Sequence, residues 1–226
     1  MEIIMQMSLT KDDLIRYVGR QLEMFFPDGM KFDISQHISS YNLALERLEY
    51  CLDSICVKGY HDEKGNVTFS HLHADQYATF IWFFSNSVWR LEENDFLSSK
   101  LLQLNRLLHQ IFISYKCDMP DHFFLGHPIG TVLGNAKYGD FLAVLQGVTV
   151  NTNNDLKIGK GVFLGANSKI IGSKPIGDRA SVAVGTLLFE TSVPDNHVAM
   201  NIDGKTIIRK RKREKCVAQR YFNIDI

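Results

Sequence analysis

Between residues 132 and 192 the apolar positions of this chain recur every sixth residue. Ile158, Leu164, Ile170, Ile176, Val182 and Leu188 form an unbroken ladder, and four of these six rungs are followed directly by Gly159, Gly165, Gly177 or Ala183. The positions four places after each rung, Val162, Ser168, Lys174, Ala180, Thr186 and Ser192, are small or β-branched in all but one case. A helix repeats every 3.6 residues and a strand every two, so neither produces a period of six. Hexapeptide repeats belong to parallel β-helices, in which each short strand supplies one side of a coil and its inward apolar residue stacks on those above and below. Glycine or alanine beside each rung then marks a corner where the backbone turns tightly and where positive φ is expected. Four earlier rungs, Val132, Tyr138, Val144 and Val150, run two residues out of phase with the set beginning at Ile158. That slip predicts a loop leaving the coil at NTNND, residues 151–155.

The first half of the chain has helical spacing instead. Thr10, ahead of Asp12 and Asp13, is a natural N-cap for a helix running to about Phe26, which Pro27, Asp28 and Gly29 then end. Ile38, Tyr41, Leu45, Leu48, Leu52 and Ile55 alternate three and four apart on one face, with Gly59 as the expected stop. A polar turn over 61–70 leads to a helix over 74–92 whose aromatic density, Tyr77, Phe80, Trp82, Phe83, Phe84 and Trp89, calls for burial on more than one side. A last helix is expected over 96–114, with Leu97, Leu101, Leu104, Leu108 and Ile111 inward. The fold class is therefore α+β: an α-helical domain over 1–116, a β-helix over 117–200, and a basic tail over 201–226. No low-complexity linker separates the first two parts, so rigid packing between them is expected.

Composition narrows the function classes. At 226 residues and 45% hydrophobic the chain can bury an ordinary core, and its 25 acidic and 25 basic residues cancel. Bulk charge thus gives no sign of nucleic acid or of a membrane surface. The start, MEIIMQMSLTKDD, lacks a basic segment followed by an apolar stretch, and no apolar run approaches the ~20 residues that span a bilayer. A cytoplasmic protein is expected. Cys51, Cys56, Cys117 and Cys216 are neither dense nor at metal-ligand spacing, so reduced thiols and no metal site are expected.

The order of helices then hexapeptide coils resembles the serine acetyltransferases among the hexapeptide-repeat acyltransferases. The segment HPIGTVLG (127–134), continued by Asp140 and LQGVT (145–149), is similar to that family's catalytic stretch DHATG(I/V)VVGE and the coil DVSILQxVTLG that follows it. GVFLGANSKIIG (161–172) resembles GVxIGAGAKILG, and SVAVGTLLFETSVPDN (181–196) resembles AKIGAGSVVLxxVPP. The likeness is good over about 117–200 and faint over the helices, where His73, Ala74, Gln76 and Tyr77 echo a HALQxY stretch. It implies a left-handed β-helix and acetyl transfer from acetyl-CoA to an acceptor hydroxyl.

In that family a histidine takes the proton from the acceptor hydroxyl, which attacks the thioester. His127 falls on that histidine. An unperturbed imidazole pKa of about 6.5 leaves an accepting nitrogen at neutral pH, and a carboxylate on the other nitrogen fixes the tautomer. The resemblance puts Asp118 in that orienting place, but about six residues of the family's spacing are missing, so Asp121 competes for it. Two departures bear on the acceptor. Gly126 replaces the aspartate that precedes the family's histidine, and Asn154 and Asp155 stand where an arginine and a second histidine help hold serine. Without a cation there the α-carboxylate of serine loses its bidentate partner, whereas a sugar or nucleotide-sugar of surface polysaccharide synthesis loses nothing. An asparagine-rich loop is also simply a good turn.

His73 and Asp75, at the start of the aromatic helix, either reach the acceptor or cap that helix. By the comparison Gly165, Ala166, Ala183, Val184 and Thr186 line acetyl-CoA through their backbones. In the basic run 209–215, Arg209 and Lys210 are expected to meet the phosphates of CoA and the rest to be solvated. The absence of interleaved aromatics argues against nucleic acid. The resemblance implies a homotrimer with active sites between subunits, and leaves open whether two trimers pair. Two other readings stand beside O-acetyl transfer: N-acylation of an amino-sugar, and a non-catalytic trimeric scaffold.

Overall fold

The computed structural model describes residues 5–29 and 31–226; residues 1–4 and Met30 of the expected helical domain lie outside the described residues. Four helices come first: α1 (Lys11–Phe25), α2 (Ile38–Asp53), α3 (Ala74–Glu92) and α4 (Asp95–His109). Thr10 caps α1 as expected, its side chain accepting from the Asp13 N–H at 3.1 Å. Helix α3 lies at the centre, packed against both α2 and α4, and every residue from Asp75 to Val88 is buried. Its aromatic density is thus explained by burial all round. Helix α2 stops at Asp53 rather than near Gly59, because the Ser54 hydroxyl caps the Cys51 carbonyl and Ile55 bridges to Phe222 at the far end of the chain. The expected turn over 61–70 contains a short strand, Thr68–Phe69, pairing in parallel with Gln6–Met7.

The last helix also ends early. It was expected to reach Ser114, but Gln110 adopts φ 54 and closes it at His109. The strand Phe112–Ile113 then pairs with Val132–Leu133, so the apolar residues at 111–113 belong to the first coil of the solenoid.

The solenoid has three sides. On the first, Phe123–Gly126, Leu142–Leu145, Phe163–Leu164, Ser181–Val182 and His197–Ile202 stack in parallel. On the second are Phe112–Ile113, Val132–Leu133, Thr149–Val150, Lys169–Ile171 and Leu187–Phe189. The third is narrower, with Lys137–Tyr138 on Lys157–Ile158 and bridges onward to Ile176 and Val193. All six rungs from Ile158 to Leu188 are at most 2% exposed, and each such side chain contributes about 2 kcal/mol of transfer free energy. The earliest rung is misassigned: Val132 is 38% exposed, and Leu133, at 0%, is the inward residue. The two-residue slip is real. Ile158 pairs with Tyr138, twenty residues back, but with Ile176, eighteen ahead.

The glycines beside the rungs have a different cause from the one expected. Gly159, Gly165 and Gly177 do not adopt positive φ. They are required because the next coil comes too close: a Cβ would stand 2.4 Å from Asp178 Oδ1 at Gly159, 2.8 Å from Val184 N at Gly165 and 2.3 Å from Asp195 Oδ1 at Gly177. The two aspartates fold over their glycines to accept backbone N–H groups, Asp178 from Lys160 and Asp195 from Asp178, each at 2.9 Å. Asp140 repeats the device two coils before Asp178 by accepting from His122 N–H at 2.9 Å.

Residues 201–226 are not a solvated tail. The strand Lys205–Lys210 pairs antiparallel with His197–Ile202, so the expected boundary at 200/201 falls inside a hairpin. The chain then runs back along the outer face of the first side. Tyr221 stacks on Phe124 (4.8 Å) and Phe163 (5.9 Å), Phe222 is buried against Phe141, and Asn223 N–H bonds the Ser54 carbonyl. This strap ties the β-helix to the helices because its aromatic residues alternate with the outward phenylalanines of the coils. Among the described residues no helix is long and apolar enough to cross a membrane, and all four cysteines are free.

The glycine contacts give a stability prediction. Gly177→Ala must push the Asp195 turn outward, at a cost of about 2 kcal/mol of overpacking, read as a lower urea midpoint at unchanged m-value. An unchanged midpoint would show that the corner has slack the geometry does not suggest.

Candidate active site

His127 stands at the corner between the first and second sides of the lowest coil, where the ladder is interrupted. Gly126 pairs with Leu145, and the pairing resumes at Ile129, whose carbonyl accepts from Gly147 N–H at 3.0 Å. His127 and Pro128 are thus two residues inserted between positions that are consecutive, Leu145 and Gln146, in the coil above. No such insertion occurs higher up, since Asn167 N–H bonds Gln146 O and Gly185 N–H bonds Ala166 O at 2.8 Å. The bulge turns the imidazole outward, 82% exposed. It also holds His127 at φ 49, a left-handed conformation for a non-glycine residue. Such a conformation costs about 1–3 kcal/mol and persists where its surroundings fix it. Here the fixing contacts are Ile129 N–H on the His127 carbonyl (2.7 Å) and Gly130 N–H on Gln110 O (3.0 Å), at the end of α4.

The carboxylate within reach of His127 is Asp75. Its Oδ2 lies 3.8 Å from His127 Nδ1, and its side chain is 8% exposed. Asp75 sits in the first turn of α3, where a helix favours negative charge. A distance of 3.8 Å is ion-pair range and longer than a hydrogen bond. Catalytic contacts often tighten only when substrate binds.

Asp118 and Asp121, the orienting candidates from the sequence, are both exposed and stand elsewhere. They act on Arg47 of α2, whose guanidinium lies over the Phe83 ring (4.7 Å) and bonds Asn86 and Ser87. Burial, reinforced by Arg90, lowers Arg47 to about 10, and Asp121 and Asp118 pull it the other way. Both aspartates thus serve the environment of Arg47, and neither is among the contacts of His127.

His73 is the N-cap residue of α3 but makes no side-chain cap, and neither does Asp75. The His73 ring meets Tyr60 edge-on at 5.6 Å, and its buried Nδ1 has no protein partner. Tyr60 is 2% exposed, and burial together with the nearby Asp75 charge pushes its hydroxyl up. Sequence reasoning missed Tyr60, which gave no signal beyond being one aromatic among many. It also missed His109. Asn105 Nδ2 donates to the Ala78 carbonyl, so Asn105 Oδ1, 2.7 Å from His109 Nδ1, accepts. His109 is therefore the Nδ1–H tautomer, assigned from this network. Burial lowers it to about 4 from 6.5, so it stays neutral beside the turn that carries His127.

Asn154 and Asp155 lie in an exposed loop at the corner between the second and third sides. Asn151 and Asn153 shape that loop, through Asn151 Oδ1 to Gly172 N–H (2.8 Å) and Asn153 Oδ1 to Asp155 N–H (2.9 Å). Within one chain the structure does not bring this loop to His127. Gly165, Ala166, Ala183 and Val184 do share His127's corner, two and three coils above it. Register places Gly126, Leu145, Gly165, Ala183 and Met200 in one outward column. The Thr186 hydroxyl is buried inside the coil and without partner, so only its backbone faces that corner. Burial pushes the thiols of Cys51 to about 12 and Cys117 to about 11, which leaves them inert as nucleophiles.

No family model matches this chain, and neither does any curated protein. Solved structures do. Serine acetyltransferase of Neisseria gonorrhoeae superposes with a TM-score of 0.62 at 21% identity, over 79% of this chain and 70% of that one. The Vibrio cholerae serine acetyltransferase gives 0.60 at 18%, over 92% and 94%. Serine acetyltransferase 1 of Entamoeba histolytica, solved with L-cysteine, gives 0.60 at 14%, over 84% and 75%. The chain has the fold of these proteins, with helices and β-helix in the same order.

His109 makes a pH prediction. Its folded value lies below its unfolded one, so its contribution is fully present above about 6.5 and is lost as pH falls towards 4, on the order of 3 kcal/mol at most. Subtracting the pH-stability curve of His109→Gln from that of the wild type isolates this component; curves that stay parallel between pH 7 and 4 would contradict it.

Proposed function

We propose that the chain is an acetyl-CoA-dependent O-acetyltransferase in which His127 is the general base and Asp75 its orienting partner. The observation that carries this reading is the bulge that projects His127 from the coil towards Asp75. It is placed in a fold shared with serine acetyltransferases. With Nδ1–H directed at Asp75, Nε2 keeps the lone pair that accepts the proton of an acceptor hydroxyl. The oxygen attacks the thioester carbonyl, and the proton then passes from the imidazolium to the departing thiolate. Acetyl-CoA lies along the column of small residues from Leu145 through Gly165 and Ala183, with Ala166 and Val184 beside it.

The acceptor is a hydroxyl compound whose recognition does not depend on a bound carboxylate. The group beside His127 is the Asp75 carboxylate, with the Tyr60 phenol within reach of the Asp75 charge and His73 against Tyr60, and none of these is a fixed cation. These bind neutral hydroxyls, as in a sugar or nucleotide-sugar, more readily than the carboxylate of serine. The loop bearing Asn154 and Asp155 meets an active site only by reaching that of a neighbouring copy. A trimer is supported by the apolar residues left open on the second side, Val132, Leu187 and Phe189, which are 38%, 45% and 68% exposed.

His127→Ala should lower acetyl transfer by about 10²-fold or more, read as thioester cleavage in the presence of acceptor; a variant keeping above about a tenth of wild-type activity removes His127 from the mechanism. Asp75→Asn should lower kcat with little change in KM for acetyl-CoA. Assays against free serine and nucleotide-sugars should favour the latter, and faster turnover of serine would reverse the acceptor reading. Phe189→Asp should shift the sedimentation coefficient from trimer to monomer, and a wild type that sediments as a monomer would defeat the proposed assembly.

A further inference from the structure

Helices α3 and α4 meet through apolar residues, and apolar packing is non-directional, so it does not by itself fix how the two helices sit along one another. Buried polar groups fix it here. Ser85 and Ser98 each donate to the other's carbonyl, at 2.7 and 3.0 Å, and lock the middle of α3 to the start of α4. At the other end of α4, where the chain enters the β-helix, Asn105 Nδ2 donates to the Ala78 carbonyl at 2.9 Å. Ala78 stands three residues after Asp75, on the turn of α3 that carries the carboxylate, and the Thr79 hydroxyl closes that turn on the Asp75 carbonyl at 2.8 Å.

From Ala78 a hydrogen-bonded chain runs to the turn of His127. Asn105 Oδ1 accepts from His109 Nδ1 at 2.7 Å, and the His109 ring is held edge-on against Tyr77 at 5.7 Å. Gln110 follows directly and takes φ 54, which aims its carbonyl at Gly130 N–H, 3.0 Å away. Gly130 belongs to the same turn in which Ile129 N–H donates to the His127 carbonyl. Asn105 and His109 are 4% and 9% exposed, so a partner lost from either leaves a polar group unsatisfied in the core.

We propose that Asn105 and His109 are positioning residues that set the distance between His127 and Asp75. The proposal rests on the reading of that pair as base and orienting carboxylate. A shift of about 1 Å at the β-helix end of α4 equals the difference between the observed 3.8 Å and an ordinary hydrogen bond. Misplacement on that scale is enough to lower a rate by up to about 10²-fold. An apolar residue at 109 fills the core but supplies no bond tying the His127 turn to the helix that bears Asp75.

The test compares His109→Leu, which removes the donor, with His109→Asn, which returns an N–H to the place of Nδ1, both in the full chain. His109→Leu should lower kcat about tenfold or more with little change in KM for acetyl-CoA. It should also move the ¹⁵N shifts of the His127 imidazole towards those of Asp75→Asn and speed exchange of the Gly130 amide, and His109→Asn should recover most of each loss. Added to Asp75→Asn, His109→Leu should cost little more, because the pair it sets is already broken. Wild-type kcat and His127 shifts in His109→Leu, equal losses in the Leu and Asn variants, or full additivity with Asp75→Asn would overturn the proposal. If His109→Leu does not fold, the wild type supplies the test. Near neutral pH, where burial keeps His109 uncharged, its Nδ1 should show the ¹⁵N shift of a protonated nitrogen, and the opposite tautomer would break the chain at Asn105 and overturn the proposal. The NMR readouts need no turnover: coupled His127 shifts in a protein that transfers no acetyl would refute the reaction and leave this linkage standing, whereas activity that depends on His127 and Asp75 but not on His109 would refute the linkage alone.

Discussion

The close approach of one coil to the next at the corners governs this molecule. Successive strands stack about 4.8 Å apart, and where the backbone turns a corner the coil above lies against the Cα below. A side chain at Gly159, Gly165 or Gly177 has nowhere to go, since backbone or aspartate oxygens stand within 3 Å of where its Cβ would be. The six-residue period, the small residues beside each rung and the aspartates that cap the corner amides are all consequences of that one distance. The same crowding requires Gly165 in the column beside His127's corner.

His127 is the place where the constraint is relaxed. Two inserted residues lift it out of the stack, its backbone takes a left-handed conformation that glycines and other residues such as Phe141 and Arg179 also take in the solenoid, and the end of α4 holds the turn in place. Chemistry and support thus come from different domains. In the proposed site the β-helix carries His127, and the first turn of α3 carries Asp75. The strap through Tyr221 and Phe222 fixes the relation between them. That mutual dependence accounts for a chain with no linker between its two parts.

What the sequence revealed follows from which interactions are periodic. The ladder from Ile158 to Leu188 was legible because every coil repeats the same inward contact, and the slip at 151–155 was legible as a break in that repeat. Helix α3 was legible to the residue, since its aromatic run lies in one continuous stretch. Contacts between elements distant in sequence left no such trace. Phe112 and Ile113 looked like the end of a helix because strand pairing with Val132 and Leu133 outweighs local spacing. The hairpin under the basic run left no trace because its strand partner, His197–Ile202, pairs only after folding, while five of the six cations are exposed as expected. Asp118 was expected as the orienting carboxylate from the resemblance, with Asp121 competing, whereas in the structure both act on Arg47 and Asp75 is the carboxylate 3.8 Å from His127. The glycines were rightly read as corner residues, though the cause is crowding rather than positive φ.

The central claim is that Asp75 holds the tautomer of His127, and ¹⁵N chemical shifts of the His127 imidazole test it most directly. In the wild type near neutral pH, Nδ1 should show the shift of a protonated nitrogen and Nε2 that of a free lone pair. In Asp75→Asn the balance should move towards the Nε2–H form that free imidazole side chains prefer. Identical ¹⁵N shifts in the two proteins would contradict the pairing, and with it the proposed base.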